Sequence, residues 1–191
     1  MLKKLGPKPY LFPMPVLLIA TYDENKRVDV MTAAWGGVYG EEKLAVDLDP
    51  HHKTFANIKL NKAFTISIAD IPHLKEADYL GIYSANRYPD KFERSGLAAA
   101  PSDVVTAPVL TEFPITFECE LEEIVEEEKD AHVIGRIRNT LADEKLFDES
   151  GKIDPTRIQA FVFDTFQNGY YAIGEKVGNA FCDGNEIAKK E

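Results

Sequence analysis

The sequence predicts a mainly β protein, built as one β-barrel domain with short helices at its periphery. Two observations predict this class. Apolar and β-branched residues recur with the two-residue alternation of half-buried strands. The helical runs between those strands are short, whereas a doubly wound sheet needs a long helix after most strands.

The first two strands are expected to form a hairpin. Residues 16–22 are apolar and β-branched, residues 23–26 have turn chemistry, and residues 27–31 alternate polar with apolar. Two more strands are predicted at residues 43–48 and 63–69, and the second of these alternates apolar side chains with hydroxyl side chains.

Three short helices are expected among and after these strands. Residues 53–60 carry apolar side chains at helical spacing. Residues 72–80 and 90–95 are followed by Gly81 and Gly96, and glycine is common just past the end of a helix.

The second half of the chain returns to strands. Residues 114–125 alternate, and we expect the apolar set to face inward and the polar set to face solvent. The polar set consists of Thr116, Glu118, Glu120 and Glu122. Further strands are predicted at residues 132–141 and 159–166, and a terminal helix at residues 174–181.

Length and charge predict one soluble domain over residues 1–191, with a core at about residues 13–181. A chain of 191 residues that is 45% hydrophobic can bury a core without disulfides or metal. A net charge of −10 would repel nucleic acid and anionic membranes, so neither is an expected partner. Two cysteines make no disulfide framework, and prolines interrupt the apolar N-terminal run, so we expect a cytoplasmic protein.

A pocket composition follows the predicted hairpin. Between Asp29 and Trp35 stand a hydroxyl, Thr32, and two small residues that would let a flat ligand approach the backbone. Residues 49–54 lead into a helix whose first N–H groups could hold a phosphate. Residues 84–92 add a hydroxyl and two cations.

Each of these features has a simpler alternative. Trp35 could be a core anchor, Thr54 a helix cap, and Lys91 a solvated helix residue. Other chemistries lack their signatures. The four histidines show no metal-ligand spacing, the glycines at 36–40 precede a strand rather than a long helix, and no Gly-x-Ser-x-Gly elbow is present.

Six segments taken in order carry a family resemblance. They are Asp29 to Trp35, Pro50 with Thr54, Gly81 with Ser84 and Asp90 to Phe92, Glu118 to Glu120, Asp130 to His132 with Gly135, and Tyr170 to Gly178. In this order they resemble the flavin reductase-like family of FMN-binding split barrels, and within it the flavoredoxin group. The resemblance implies an antiparallel Greek-key split β-barrel with short peripheral helices that binds FMN at a homodimer interface.

The resemblance also implies roles for individual residues. Those expected to line the isoalloxazine and ribityl parts of the flavin are Met31, Thr32, Ala33, Ala34 and Trp35. Those expected at the phosphate end are Thr54 and Lys91, with Ser84 and Asn86 nearby and with Asp49 and His51 before the helix. Phe166 and Tyr170 match aromatic positions that cover the cofactor, and His132 matches a histidine near the ring, with a structural role as its alternative.

The expected function is that of an FMN-binding oxidoreductase, which passes electrons between NADH, NADPH or a protein donor and an acceptor. Two alternatives stay open: an electron carrier that does not oxidise NADH or NADPH itself, and a binding module for another ligand such as haem. The sequence departs from relatives at two places. Asp29 stands where they often carry Asn, and Asp130-Ala-His132 varies a Gly-Asp-His pattern.

Overall fold

The computed structural model describes residues 1–188, so residues 189–191 of the expected domain lie outside the described part. Its strands are β1 (Met14–Pro15), β2 (Leu17–Tyr22), β3 (Val28–Ala33), β4 (Gly36–Gly40), β5 (Lys43–Leu48), β6 (Ala63–Ile68), β7 (Ala99–Pro101), β8 (Pro108–Leu110), β9 (Ile115–Glu126), β10 (Ala131–Ala142), β11 (Phe161–Phe163) and β12 (Tyr170–Ala172). Its helices are α1 (Lys53–Asn61), α2 (Leu74–Ile82), α3 (Lys91–Ser95) and α4 (Asn185–Ala188), with 3-10 turns at Ile71–His73, Glu144–Leu146 and Pro155–Ile158.

The main sheet has seven strands in the order β3-β2-β6-β9-β10-β5-β4, and every neighbouring pair is antiparallel. Side chains from β2, β5, β6, β9 and β10 share one apolar cluster with α1, so the sheet curls around that cluster. The prediction of a mainly β, antiparallel barrel with short helices is confirmed.

Strand β2 is buried on both faces. Leu17 and Ile19 belong to the cluster inside the sheet, whereas Leu18 and Ala20 belong to a second cluster under α2 and α3. This two-sided burial explains why β2 is a continuous apolar run rather than an alternating one.

The local predictions for the first half are confirmed. Strands β2 and β3 form the expected hairpin, with Leu17 opposite Ala33. The predicted strands at 43–48 and 63–69 are β5 and β6, and the predicted helix at 53–60 is α1. No helix in the described part of the chain is long and apolar enough to cross a membrane.

The prediction that the polar set of β9 faces solvent was wrong for Thr116 and Glu118, which are each 2% exposed. The outer face of β9 is covered by the segment that carries β7 and β8. Glu118 accepts hydrogen bonds there from the Ser102 hydroxyl at 2.5 Å and from Asn139 Nδ2, on the adjacent strand, at 2.6 Å. The carboxylate is therefore buried with partners, as burial of a charge requires.

Gly81 does not end a helix, because α2 continues to Ile82. A Cβ atom at this position would lie 3.2 Å from the Cβ atom of Thr32. Gly81 therefore marks a close approach between α2 and β3. The second predicted helix-end glycine, Gly96, does follow α3 and has the left-handed φ of 76°.

The predictions for the C-terminal region were partly wrong. The strand expected at 159–166 is only β11, because the Asp164 side chain accepts hydrogen bonds from the backbone N–H groups of Phe166 and Gly169 and turns the chain back into β12. Residues 174–181 form no helix. They are exposed, so no buried apolar face stabilises a helix there, and Gly174 and Gly178 lower its propensity further.

Candidate functional site

Two adjoining pockets lie where the end of β3 meets α2. The first, here called the deep pocket, has a volume of about 160 Å³ and is lined by β3, the start of α1, residues 80–85 and Lys91. The second, here called the outer pocket, has a volume of about 270 Å³ and is lined by Val16, Thr32, Ala34, Asp78, Gly81, Ile82, Phe163 and Tyr170. Thr32, Gly81 and Ile82 belong to both linings and form a shared wall.

The shared wall is fixed by one contact between strand and helix. The Thr32 hydroxyl donates a hydrogen bond to the backbone carbonyl of Ala77 in α2, with a length of 2.5 Å. Gly81, one turn further along the helix, has no side chain to hold the two elements apart. The sequence pattern of a small residue four positions after Ala77 therefore allows β3 and α2 to pack closely.

Lys91 is buried at the bottom of the deep pocket. Its side chain is 3% exposed, and its Nζ donates hydrogen bonds to the carbonyls of Leu80 and Tyr83 at 3.1 Å and 2.8 Å. Both carbonyls belong to the C-terminal end of α2, where the helix dipole favours a cation. Burial lowers the pKa of Lys91, and the neighbouring Asp29 carboxylate opposes that shift. The alternative of a solvated helix residue was wrong.

Asp29 lies beside Lys91 and is 4% exposed. Its Oδ2 accepts hydrogen bonds from the Thr54 hydroxyl at 2.6 Å and from Asn57 Nδ2 at 3.3 Å, and its Oδ1 lies 3.8 Å from Lys91 Nζ. Burial raises the pKa of Asp29, while the Thr54 hydrogen bond and the Lys91 charge act in the opposite direction.

Thr54 is not the cap of α1. It is the second residue of the helix, and its hydroxyl is bound to Asp29. The N-cap position is His52, which makes no side-chain hydrogen bond to the first turn. Within residues 1–188, the first N–H groups of α1 therefore have no side-chain acceptor at the edge of the deep pocket, which is a favourable place for an anion.

The structure brings several predicted site residues together. Those in the lining of the deep pocket are Met31, Thr32, Thr54, Ser84 and Lys91. Those in the lining of the outer pocket are Thr32, Ala34 and Tyr170. Tyr170 is held in place by a hydrogen bond from its hydroxyl to Asp78 Oδ1 at 2.9 Å, and burial together with that carboxylate raises its pKa to about 12.

Three predicted residues lie at the rim of the deep pocket rather than in its lining. Asn86 Nδ2 donates a hydrogen bond to the His51 carbonyl at 2.8 Å and so links the loop after α2 to the start of α1. His51 Nδ1 and Asp49 Oδ1 lie 2.8 Å apart, and both side chains are exposed.

The other predicted residues lie farther out. His132 on β10 pairs with Asp47 on β5, whose N–H donates a hydrogen bond to the Trp35 carbonyl at 2.8 Å. The Asp47 carboxylate raises the pKa of His132. Trp35 is 48% exposed, so it is not a core anchor, and Ala33, two residues before it, is half-buried. Phe166 packs its ring against Tyr10 at a centroid distance of 5.1 Å.

Sequence reasoning missed other residues of the two pockets. Asp78 and Phe163 line them, and no sequence motif marked either position. His52 also lines the deep pocket; it lay within the predicted 49–54 segment but was not predicted as a site residue. Gly81 was predicted as the end of a helix and as part of the family resemblance, but not as a contact point between a helix and a strand. The spacing of Ala77 and Gly81, two small residues on one helical face, was the available signal of a close helix contact.

A third cavity is larger and apolar. This apolar cleft has a volume of about 800 Å³ and lies between residues of the main sheet, the segment of residues 155–162 and residues 173–177. Among its lining residues are Leu17, Val38, Phe117, Ile158 and Val177. Val38 and Val177 are 83% and 101% exposed, so the cleft leaves much apolar surface in contact with water in a single chain.

The donor set of the two pockets fits a flavin. A buried lysine, an uncapped helix start and the hydroxyl of Ser84 suit a phosphate group. The outer pocket adds small residues and two aromatic side chains against which a flat ring can lie.

Comparisons with known proteins agree with the sequence resemblance. Residues 10–163 match the model of the flavin reductase like domain. Flavoredoxin from Desulfovibrio vulgaris (Miyazaki F), whose structure is solved, is 35% identical to this chain in sequence and superposes with a TM-score of 0.91. The match covers 96% of this chain and 100% of the flavoredoxin chain. Flavoredoxin from Methanosarcina acetivorans is 21% identical, with a TM-score of 0.86, and the match covers 97% and 100% of the two chains.

A curated protein from Aeropyrum pernix, described as uncharacterized, is 28% identical over 118 residues. The match covers 61% of this chain but only 44% of that protein, so the chain spans less than half of its length. The family model covers most of the chain, and the expected family is confirmed. The chain therefore belongs to the flavin reductase-like family.

Proposed function

We propose that this protein is an FMN-binding oxidoreductase that passes electrons between a reduced nicotinamide or a protein donor and an acceptor. The observation that carries the proposal is the pair of adjoining pockets, one with a buried lysine and one with an aromatic wall, on a flavin reductase-like fold. Bound flavin would supply the electron-transfer chemistry, which the side chains of this protein do not provide themselves.

The deep pocket is the proposed site of the phosphate. Lys91 would contribute a fixed positive charge, because its ammonium group is already held by the carbonyls of Leu80 and Tyr83. The first N–H groups of α1 and the hydroxyl of Ser84 would donate hydrogen bonds to phosphate oxygens. The phosphate distinguishes FMN from riboflavin, so these groups support the choice of FMN.

The outer pocket is the proposed site of the ring. Ala34 and Gly81 leave room for a flat group close to the backbone, and Tyr170 would cover one side of it. Tyr170 is positioned by Asp78 and by edge contacts with Phe161 at a centroid distance of 5.0 Å. These residues would orient the ring and exclude water from it.

We also propose a homodimer that works in the cytoplasm, with FMN near the interface. The apolar cleft supports a second protein chain as its occupant, because Val38 and Val177 in its lining are almost fully exposed and exposed apolar surface often marks a protein–protein contact. The cytoplasmic location is supported by composition, since Cys119 and Cys182 are free cysteines.

The test is to purify the protein and record its absorption spectrum, and then to measure NADH and NADPH oxidation with added FMN. We expect a yellow protein with noncovalently bound FMN that oxidises one of the two nicotinamides. Bound FMN without nicotinamide oxidation would assign the protein to the electron carriers. A haem spectrum, or a colourless protein that binds no added FMN, would contradict the proposal.

A further inference from the structure

Two buried polar atoms lack hydrogen-bond partners within residues 1–188. They are Oδ1 of Asp29 and Nδ1 of His52, and both residues line the deep pocket. Buried polar atoms are nearly always hydrogen-bonded, because an unpaired one carries the full cost of its lost hydration. Because both residues line one pocket, a polar ligand group bound there would supply the missing hydrogen bonds.

The two oxygens of Asp29 are in different situations. Oδ2 accepts hydrogen bonds from Thr54 and Asn57, whereas Oδ1 accepts no hydrogen bond from any residue of the described part of the chain. The nearest cation, Lys91 Nζ, lies 3.8 Å from Oδ1, which is too far for a hydrogen bond. Oδ1 is thus the carboxyl oxygen that still lacks a hydrogen-bond partner, in a residue that lines the deep pocket.

A phosphate presents acceptor oxygens, and an ionised carboxylate is also only an acceptor. These two groups can form a hydrogen bond only if a proton lies between them. Without that proton the two negative charges repel each other.

The charged groups around Asp29 do not all act in one direction. Lys91 on α3 and Lys53 on α1 favour its ionised form, and Asp23 in the turn before β3 opposes it. The neutral donors that face it are Thr54 and Asn57, and His52 stands across the same pocket. Burial outweighs the lysines and raises the pKa of Asp29, and a phosphate anion would raise it further.

Building on the proposed FMN site, we propose that Asp29 couples phosphate binding to the uptake of one proton. The carboxyl group takes the proton from solvent as the phosphate enters the deep pocket, and Oδ1 then donates a hydrogen bond to a phosphate oxygen. Oδ2 keeps its hydrogen bonds from Thr54 and Asn57 throughout. Aspartate at this position thus makes flavin affinity sensitive to pH, whereas asparagine would supply a permanent N–H donor.

The test compares the wild-type protein with Asp29→Asn. Proton uptake on FMN binding is measured by titration calorimetry in buffers of different ionisation enthalpy, and affinity is measured by flavin fluorescence above about pH 7, where the FMN phosphate is already fully ionised. We expect the wild-type protein to take up about one proton more than Asp29→Asn, and its affinity for FMN to fall about tenfold per pH unit. Asp29→Asn should bind FMN with little dependence on pH, and more tightly than the wild-type protein at the upper end of the range.

Riboflavin and His52→Gln are the controls. Riboflavin lacks the phosphate, so its binding to the wild-type protein should show no extra proton uptake. The proposal is overturned if Asp29→Asn takes up as many protons as the wild-type protein, or if the extra proton disappears in His52→Gln instead. If the wild-type protein binds no FMN at any pH, the proposed function itself fails, which is a different result from FMN binding without proton uptake.

Discussion

At the scale of single residues, the buried lysine decides what the deep pocket can hold. A fully buried lysine without an acidic partner in hydrogen-bond contact is rare, because desolvation of the ammonium group is costly. Hydrogen bonds to two carbonyls at the end of α2 and the charge of the more distant Asp29 offset the desolvation of Lys91. Its third N–H remains for a ligand, since an ammonium group has three donors.

We expect Lys91→Met to weaken FMN binding at least about tenfold, because a hydrogen bond to a charged group contributes about 1.5–3 kcal/mol. Riboflavin binding should change much less. Fluorescence titrations with both ligands check this. Lys59→Met is the matched control, since Lys59 is an exposed lysine of α1 paired with Glu126 at 2.8 Å. Equal losses for FMN and riboflavin would contradict the assignment of Lys91 to the phosphate.

His132 is proposed to tune the flavin through its charge. Its pKa is raised above the usual 6.5, chiefly by Asp47. The protonated form therefore stabilises the folded state fully below the unfolded pKa, and this stabilisation is lost as the pH rises through the higher folded value. We expect His132→Gln to shift the flavin midpoint potential at low pH more than at high pH. A shift in melting temperature with an unchanged potential would show that His132 serves only its ion pair.

At the scale of elements, the hairpin of β11 and β12 depends on one side chain. Asp164 is 3% exposed and accepts hydrogen bonds from the N–H groups of Phe166, Gln167 and Gly169, at 2.5 Å, 3.2 Å and 3.4 Å. The loop that it organises ends at Tyr170, the aromatic residue of the outer pocket. A buried carboxylate that is not in the site thus sets the position of a residue that is.

Asp164→Ala is expected to lower the free energy of unfolding by about 1–3 kcal/mol, because the backbone N–H groups of the loop lose their buried acceptor. It should also weaken binding of both FMN and riboflavin, since Tyr170 is proposed to contact the ring rather than the phosphate. Denaturant unfolding and fluorescence titration check the two effects. Asp154→Ala removes a similar but exposed acceptor, which accepts from Thr156 N–H at 2.9 Å, and should leave flavin binding unchanged. Unaltered flavin affinity in Asp164→Ala would contradict the role of the loop.

Local sequence patterns predicted the elements that are determined by residues near each other in the sequence. The hairpin of β2 and β3 and helix α1 follow from periodicity and turn chemistry in adjacent residues. The burial of Glu118 could not be predicted, because its donors Ser102 and Asn139 come from distant parts of the chain. Lys91 resembled a solvated helix residue for the same reason. The composition of residues 29–35 predicted the part of the site around Thr32, but it did not predict that α2 packs against this residue.

At the scale of the whole molecule, the apolar cleft and the edge strand β4 form one exposed surface. Val38 on β4 lines the cleft and is 83% exposed. Among the strands that the structure describes, β4 has a hydrogen-bonded neighbour on only one side, β5. An open sheet edge beside an apolar cleft is a surface that soluble proteins usually cover. The proposed homodimer would cover both at once.

Val38→Glu is expected to convert the proposed dimer into a monomer, because it places a charge in the proposed apolar interface. Flavin binding should weaken with it if FMN lies near the interface. Analytical ultracentrifugation at several protein concentrations measures the first effect. Leu60→Glu on α1, where the leucine is 58% exposed, is the control and should remain dimeric. A wild-type protein that is monomeric at all concentrations would contradict the homodimer.

The wall of Thr32, Gly81 and Ile82 has a consequence for ligand choice. Because the same three residues border both pockets, the distance between the two compartments is set by the packing of one helix on one strand. The packing of α2 on β3 therefore fixes how far apart the two ends of a ligand must be. A single ligand fills both compartments only when the distance between its flat end and its charged end matches the width of the wall. The contact between the Thr32 hydroxyl and the Ala77 carbonyl therefore selects ligands by length.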